Sequence, residues 1–154
     1  MVDKNALVQN VRAAIGDRAI YFGLLYRSFS EALPQDQVEA LARKAVYEFG
    51  QLKGKADDGP MTPDSWVDHH VTSGGKDIFE SEIIKADDRT EVHMTYCPLM
   101  AGWRQMGCSE AEMDLLCDIA MEVDRGRADY HGIPYEISER LAKGDHFCRL
   151  VLKK

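Results

Sequence analysis

Residues 91–107 join a strand pattern directly to a helix pattern, and this junction limits the possible folds more than any other segment. In the seven residues EVHMTYC, apolar and polar side chains alternate, which is typical of a half-buried strand. Pro98 follows at once, and proline is favoured in the first turn of a helix, where its missing N–H would have no partner. The segment PLMAGWRQMG therefore predicts a short helix that ends at Gly107, with Cys97 at its N-cap.

Cys97 thus occupies a position at which proteins often activate a thiol. Free backbone N–H groups and the positive end of the helix dipole stabilise a thiolate, so we expect the pKa of Cys97 to be lowered. The alternative is a buried cysteine that only packs, since free cysteine often behaves as a small hydrophobe. His93 is predicted on the same strand face as Cys97, but four strand residues place the two about 13 Å apart, beyond hydrogen-bond reach.

The rest of the chain predicts helices around paired strands. Apolar residues at helical spacing over 5–33 indicate two consecutive helices or one kinked helix, and a second amphipathic helix begins after Pro34. A capping box of Ser109 and Glu112 opens a helix that reaches about Asp129. Residues 77–85 and 91–97 form one predicted hairpin and residues 133–152 another. We therefore expect one α+β domain over 1–154, with N-terminal helices packed on an antiparallel sheet made of two hairpins with intervening helices.

Composition excludes several classes of protein. A net charge of −7 and the absence of a basic stripe argue against nucleic-acid binding. The charged N-terminus and short apolar runs predict neither a signal peptide nor a membrane segment, so we expect a soluble, cytoplasmic protein. Four separated cysteines without a C-x-x-C pair are expected to be free thiols. The wide apolar face over residues 20–25 predicts a homodimer contact.

Two adjacent histidines, His69 and His70, lie in a segment rich in helix breakers, residues 55–76, which predicts a long loop. Either histidine is a candidate base or ligand, and the alternative is a solvated surface pair. Because adjacent side chains of an extended segment point to opposite faces, we expect only one of them to reach a given site.

Two aspartates are further candidates. Asp124 follows Cys117 by seven residues on the inward face of the predicted helix, where it is either a site acid or a carboxylate near the solvent end. Asp145 lies in the turn formed by residues 143–145, where it is either part of the site or only holds the hairpin turn.

From Tyr96 to the C-terminus, the sequence resembles the L-2-amino-thiazoline-4-carboxylic acid hydrolase family. The matching elements, in order, are Cys97-Pro98-Leu99 with Trp103 and Gly107, then Leu116-Cys117-Asp118 with Asp124, and last Leu141-Ala142-Lys143-Gly144-Asp145 with Cys148. The ending is also similar to that of vinyl-reductase-type small-molecule-binding domains, which are related to vesicle-tethering TRAPP subunits. Those domains carry a zinc-ligand cysteine where this chain has Arg140, which argues against a zinc site of that type.

The resemblance implies hydrolytic opening of a small heterocycle containing nitrogen and sulfur, with cleavage of a C–N or C–S bond and no cofactor. A Cys nucleophile is expected to be served by a histidine base and an aspartate. The candidate catalytic residues are Cys97, His70, His93, Asp124 and Asp145. The candidate substrate-binding residues are His69, Trp103, Cys117 and Cys148.

Two alternatives stay open at this stage. Cys97, Cys117, Cys148 and one histidine would suit a zinc or iron site, although no short-spaced ligand pair is present. The chain would instead be a sensor or binding module if it buried a small ligand without turnover.

Overall fold

The computed structural model describes residues 3–72 and 75–154. Its helices are α1 (Lys4–Ala32), α2 (Gln35–Ala56), α3 (Pro63–Thr72), α4 (Gly75–Ile78), α5 (Pro98–Gln105), α6 (Glu110–Ala120) and α7 (Glu122–Tyr130). Its strands are β1 (Ser81–Lys85), β2 (Arg89–Met94), β3 (Tyr135–Glu139) and β4 (Cys148–Lys153), with a 3₁₀ turn at Leu141–Lys143. None of the helices in these two ranges combines the length and the apolar composition needed to cross a membrane.

The four strands form one antiparallel sheet in the order β1-β2-β4-β3. The two predicted hairpins are therefore present, and β2 joins them by pairing with β4 so that Met94 lies opposite Cys148. Side chains of Val92, Met94 and Leu150 are buried on the inner face, toward the helices. The expected α+β class with an antiparallel sheet is confirmed.

Several predicted boundaries are wrong. The sequence indicated two consecutive helices or one kinked helix over residues 5–33, whereas α1 runs without interruption from Lys4 to Ala32, because Gly16 serves as a packing position rather than a break. Residues 63–72, expected in a loop, are helical; the side chains of Thr62 and Ser65 cap each other's backbone N–H groups at the start of α3, which begins at Pro63. The helix predicted from Ser109 is divided at Met121 into α6 and α7.

Helix α5 lies close against α1 because glycines face each other at the crossing. A Cβ atom at Gly102 would lie 2.5 Å from the carbonyl oxygen of Gly16. One turn along, the indole Nε1 of Trp103 donates to the carbonyl of Ala19 at 2.9 Å, within the buried core. These contacts hold α5, and with it the Cys97 N-cap, against the N-terminal helix.

Helix α7 is held against α2 in the same way. A Cβ atom at Gly50 would collide with the carbonyl of Val123, and one at Gly126 would collide with the carbonyl of Tyr47. Both glycines are buried. This close approach positions the segment of α7 that carries Asp124.

We expect Gly102→Ala to lower the free energy of unfolding by about 1–3 kcal/mol, because the added methyl group must push apart two packed backbones. The matched control is Gly16→Ala, whose Cβ would lie 3.7 Å from its nearest neighbour and would replace a mid-helix glycine with the best helix former. Urea denaturation followed by circular dichroism measures both. Equal stabilities of the two variants would contradict the tight crossing.

Candidate functional site

A cavity of about 340 Å³ lies between the helices and the inner face of the sheet. Side chains of its wall come from six helices (α1, α2, α3, α5, α6 and α7) and from strands β1, β2 and β4. Most of the wall is apolar. The polar or reactive side chains that line it are those of Arg18, Lys53, His70, Ser81, Cys97, Cys117, Asp124 and Cys148.

Cys97 lies at the N-cap of α5, as the sequence predicts, and lines the cavity. Burial raises the pKa of its thiol, and the backbone N–H groups of Met100 and Leu99 offset only part of that effect. The shift is opposite to the one expected from the helix dipole, because loss of hydration outweighs the dipole at this position. The Cys97 thiol is therefore protonated at neutral pH and needs a base before it can act as a nucleophile.

Cys117 and Cys148 line the same cavity and are buried. Burial raises the pKa of Cys117 to about 12 and that of Cys148 to about 11. The Cys148 sulfur also accepts a hydrogen bond from the backbone N–H of Leu141 at 3.3 Å. Within residues 3–72 and 75–154, no three His, Cys, Asp or Glu side chains are grouped so that they could hold a metal ion. The geometry therefore gives no support to the thiolate-rich metal site considered from the sequence.

His70 and Asp124 lie next to each other in the wall of the cavity. His70 projects from α3 and stacks on Trp66, with 4.8 Å between ring centroids and 13° between the planes. Its Nδ1 lies 4.0 Å from Oδ1 of Asp124, a buried carboxylate on α7. Burial lowers the pKa of His70, and the attraction of Asp124 offsets only part of this. The imidazole is therefore neutral at pH 7 and able to accept a proton.

Three buried polar groups near this pair have no hydrogen-bond partner in the described part of the chain: Ser81 Oγ, Trp66 Nε1 and Tyr135 Oη. A buried polar group without a partner is costly, so it often marks a place where a ligand or water binds. Ser81 lines the cavity directly. Sequence reasoning missed all three groups, because Ser81 and Tyr135 lie in strand patterns without any chemical motif.

Three other predicted site residues, His69, His93 and Asp145, do not line the cavity. His69, one residue from His70, projects about 100° away on the helix, and its Nδ1 lies 2.7 Å from Arg127. His93 lies on the outer face of the sheet, where Nε2 is 2.8 Å from Glu91. The strand alternation stops at Met94, so Cys97 does not share the face of His93.

Asp145 likewise holds the turn before β4 rather than lining the cavity, since its carboxylate accepts a hydrogen bond from the backbone N–H of Arg140 at 2.8 Å. Of the two roles that the sequence allowed for Asp145, this geometry shows the one in which the aspartate holds the hairpin turn. Trp103, in contrast, does line the cavity, with its indole N–H bound to α1.

The fold and the site can now be compared with known proteins. A crystal structure of trafficking protein particle complex subunit 3 from Naegleria fowleri, covalently bound to palmitic acid, superimposes with a TM-score of 0.53. That match covers 89% of this chain and 95% of the other at 12% sequence identity, so it shows a shared fold alone. No curated protein gives a significant match.

The family model described as L-2-amino-thiazoline-4-carboxylic acid hydrolase matches residues 12–152. The match includes the cavity-lining residues from Ile15 on α1 to Leu150 on β4. The chain therefore belongs to this hydrolase family.

The half-buried imidazole of His70 predicts a loss of stability in acid. The pKa of His70 is below its ordinary value of 6.5 in the folded protein, so the unfolded chain binds a proton at higher pH than the folded one. The contribution of His70 to stability is complete above pH 6.5 and is lost as the pH falls below that value. We expect the free energy of unfolding to fall less between about pH 7 and about pH 5 in His70→Gln than in the wild type.

The matched control for this measurement is His146→Gln, which removes an exposed histidine. It should keep the pH dependence of the wild type in urea denaturation. If His70→Gln and His146→Gln gave the same pH dependence, His70 would not be buried in its neutral form.

Proposed function

We propose that this protein hydrolyses 2-amino-thiazoline-4-carboxylate, or a closely related cyclic amidine, to a carbamoyl-cysteine with Cys97 as nucleophile. The observation that carries the proposal is the convergence of Cys97 with the His70–Asp124 pair on one cavity, in a chain that belongs to this hydrolase family. A cavity of about 340 Å³ is in the range of small-molecule sites.

In the first half-reaction, Cys97 attacks the ring carbon that is bonded to sulfur and to two nitrogens. The thiol proton passes to the neutral imidazole of His70, directly or through the substrate, and Asp124 stabilises the imidazolium that forms. One ring bond of that carbon, to sulfur or to nitrogen, then breaks, and the leaving atom takes the proton from His70. The ring is now open, and its carbon is bonded to Cys97.

In the second half-reaction, water gives one proton to His70 and adds to the same carbon. The tetrahedral intermediate then collapses: its hydroxyl proton passes to the nitrogen of the former C=N bond, the oxygen becomes a carbonyl, and the bond to Cys97 breaks. The Cys97 sulfur recovers the proton from His70, and a carbamoyl group remains on the product. The backbone N–H groups of Leu99 and Met100, at the start of α5, are suited to stabilise negative charge that develops near Cys97. The hydroxyl of Ser81, which has no partner among the described residues, offers a further hydrogen bond to the substrate.

Cys97→Ala should abolish turnover, and His70→Gln should reduce kcat by about 10²- to 10⁴-fold, because general-base assistance is worth that much. Turnover is measured by chromatography of the carbamoyl product. A thiol reagent then shows which bond breaks, since only cleavage of the C–S bond releases a free thiol.

His93→Gln is the matched control, because it makes the same substitution on the outer face of the sheet. It should keep the activity of the wild type. Full activity of Cys97→Ala would rule out the covalent route, and equal losses in His70→Gln and His93→Gln would remove the assigned base.

A second candidate function is binding of a small ligand without turnover. It is favoured by the mostly apolar wall of the cavity and by the shared fold with a protein that holds palmitic acid covalently. Under this alternative, the wild type would bind the heterocycle and leave it intact over a long incubation.

We also propose that the chain forms a homodimer through α1 and α2. Most of the large apolar side chains that are exposed in the described residues belong to this part of the chain, and an apolar groove of about 440 Å³ runs between the two helices. The exposed apolar side chains in this part of the chain are Leu7, Tyr21, Leu24, Leu25, Phe29, Leu33, Leu41, Phe49 and Leu52.

Light scattering should therefore give twice the chain mass of 17.4 kDa. Leu24→Lys should shift the equilibrium toward monomer by placing a charge in the contact. Ile84→Lys, at an exposed apolar position on β1, is the control and should stay dimeric. A monomeric wild type at micromolar concentration would exclude the dimer.

A further inference from the structure

Two cations without a carboxylate partner line the cavity. Eight of the ten arginines form an ion pair with an aspartate or glutamate. Arg18 and Arg104 have no such partner among the described residues, and of these two only Arg18 lines the cavity. Lys53, on α2, also lacks a carboxylate partner in that part of the chain, and its Nζ lies 5.1 Å from the centroid of the Phe49 ring.

The exposure of these two cations places them toward the open end of the cavity. Among the described residues of its wall, only Arg18, Phe49 and Lys53 are exposed; the others are buried or partly buried. Cys97 and His70 belong to the less accessible part. Lys53 is nevertheless close enough to His70 for its charge to act on the imidazole. A ligand of modest size would therefore reach from the cations to the reactive groups.

The charge of the cavity is opposite to that of the protein. The chain carries a formal net charge of −7, yet the cavity wall has two cations and a single carboxylate, that of Asp124. Asp124 is buried beside His70, and no ion pair joins it to Arg18 or Lys53 in the described part of the chain. A positive opening on an acidic protein raises the local concentration of small anions and selects against cations.

We propose that Arg18 and Lys53 form an anion subsite that binds the carboxylate of the substrate at the mouth of the cavity, with the heterocycle directed toward Cys97 and His70. The identity of the ring rests on the function proposed above; the subsite itself rests on the two cations. Guanidinium binds carboxylate through two parallel hydrogen bonds, and the ammonium adds a point charge from the second helix. One cation on α1 and one on α2 would hold the anion between the two helices.

The subsite predicts that affinity depends on the carboxylate. We would measure binding by isothermal titration calorimetry in a Cys97→Ala background, which prevents turnover, with 2-amino-thiazoline-4-carboxylate and with 2-amino-thiazoline, which lacks the carboxylate. The acid should bind about 10- to 100-fold more tightly, as expected for charge-assisted hydrogen bonds. Arg18→Gln and Lys53→Gln should each remove a large part of that preference and should not weaken binding of 2-amino-thiazoline, which is a protonated isothiourea at neutral pH and offers the two cations no anion.

Lys55→Gln is the matched control. Lys55 is an exposed lysine in the same last turn of α2, and it is not among the residues of the cavity wall, so its loss changes the net charge equally and should leave the preference intact. Equal binding of the acid and of 2-amino-thiazoline to the parent protein would overturn the subsite. The subsite would also be overturned if the preference for the acid were as large in Arg18→Gln and Lys53→Gln as in Lys55→Gln.

Turnover by protein with an intact Cys97 separates this inference from the proposed function. If 2-amino-thiazoline-4-carboxylate is hydrolysed and neither Arg18→Gln nor Lys53→Gln raises its KM, the function stands and the subsite fails. If no hydrolysis occurs but binding prefers the acid and loses that preference in both cavity variants, the subsite stands and the hydrolase proposal fails. Absence of binding to either compound overturns the subsite.

Discussion

The close approach of α1 and α5 at Gly16 and Gly102 is the contact on which the site depends. A Cβ atom at position 102 would lie 2.5 Å from the carbonyl oxygen of Gly16, so the close approach requires glycine there, and the Trp103 N–H donates to the Ala19 carbonyl one turn further along α1. Because Cys97 is the N-cap of α5, this crossing also places the thiol. The crossing of α2 and α7 at Gly50 and Gly126 has the same form, and it positions the segment of α7 from which Asp124 lines the cavity.

Burial then sets the protonation states in the cavity. Removal from water disfavours every charged form, so it raises the pKa of Cys97 and lowers that of His70. The resting pair is a neutral thiol and a neutral imidazole rather than the thiolate and imidazolium of many cysteine hydrolases. Under the proposed mechanism, charge would develop only during the reaction, stabilised by Asp124 and by the N–H groups at the start of α5.

Much of the fold follows from local patterns. The Cys97-Pro98 junction, the Ser109 capping box and the two hairpins each depend on neighbouring residues, and the structure contains all of them. The structure of the segment around His69 and His70 does not follow from its local pattern, because its glycines and prolines suggest a loop while the caps at Thr62 and Ser65 start a helix. Because this segment is helical, the side chains of the two adjacent histidines point about 100° apart around the helix axis, and of the two only His70 lines the cavity.

Local patterns are enough to establish the α+β class, the N-cap position of Cys97 and the family, since these depend on periodicity, capping and the order of motifs along the chain. Which residues share the cavity depends instead on how distant elements pack together. The tertiary structure joined Cys97 to His70, Asp124 and Ser81 from four separate elements, and it moved His93 to the outer face of the sheet and Asp145 to a turn. It also reversed the expected shift in the pKa of Cys97. Burial is a property of the packed chain, and no local pattern states how much water a side chain loses when distant elements close over it.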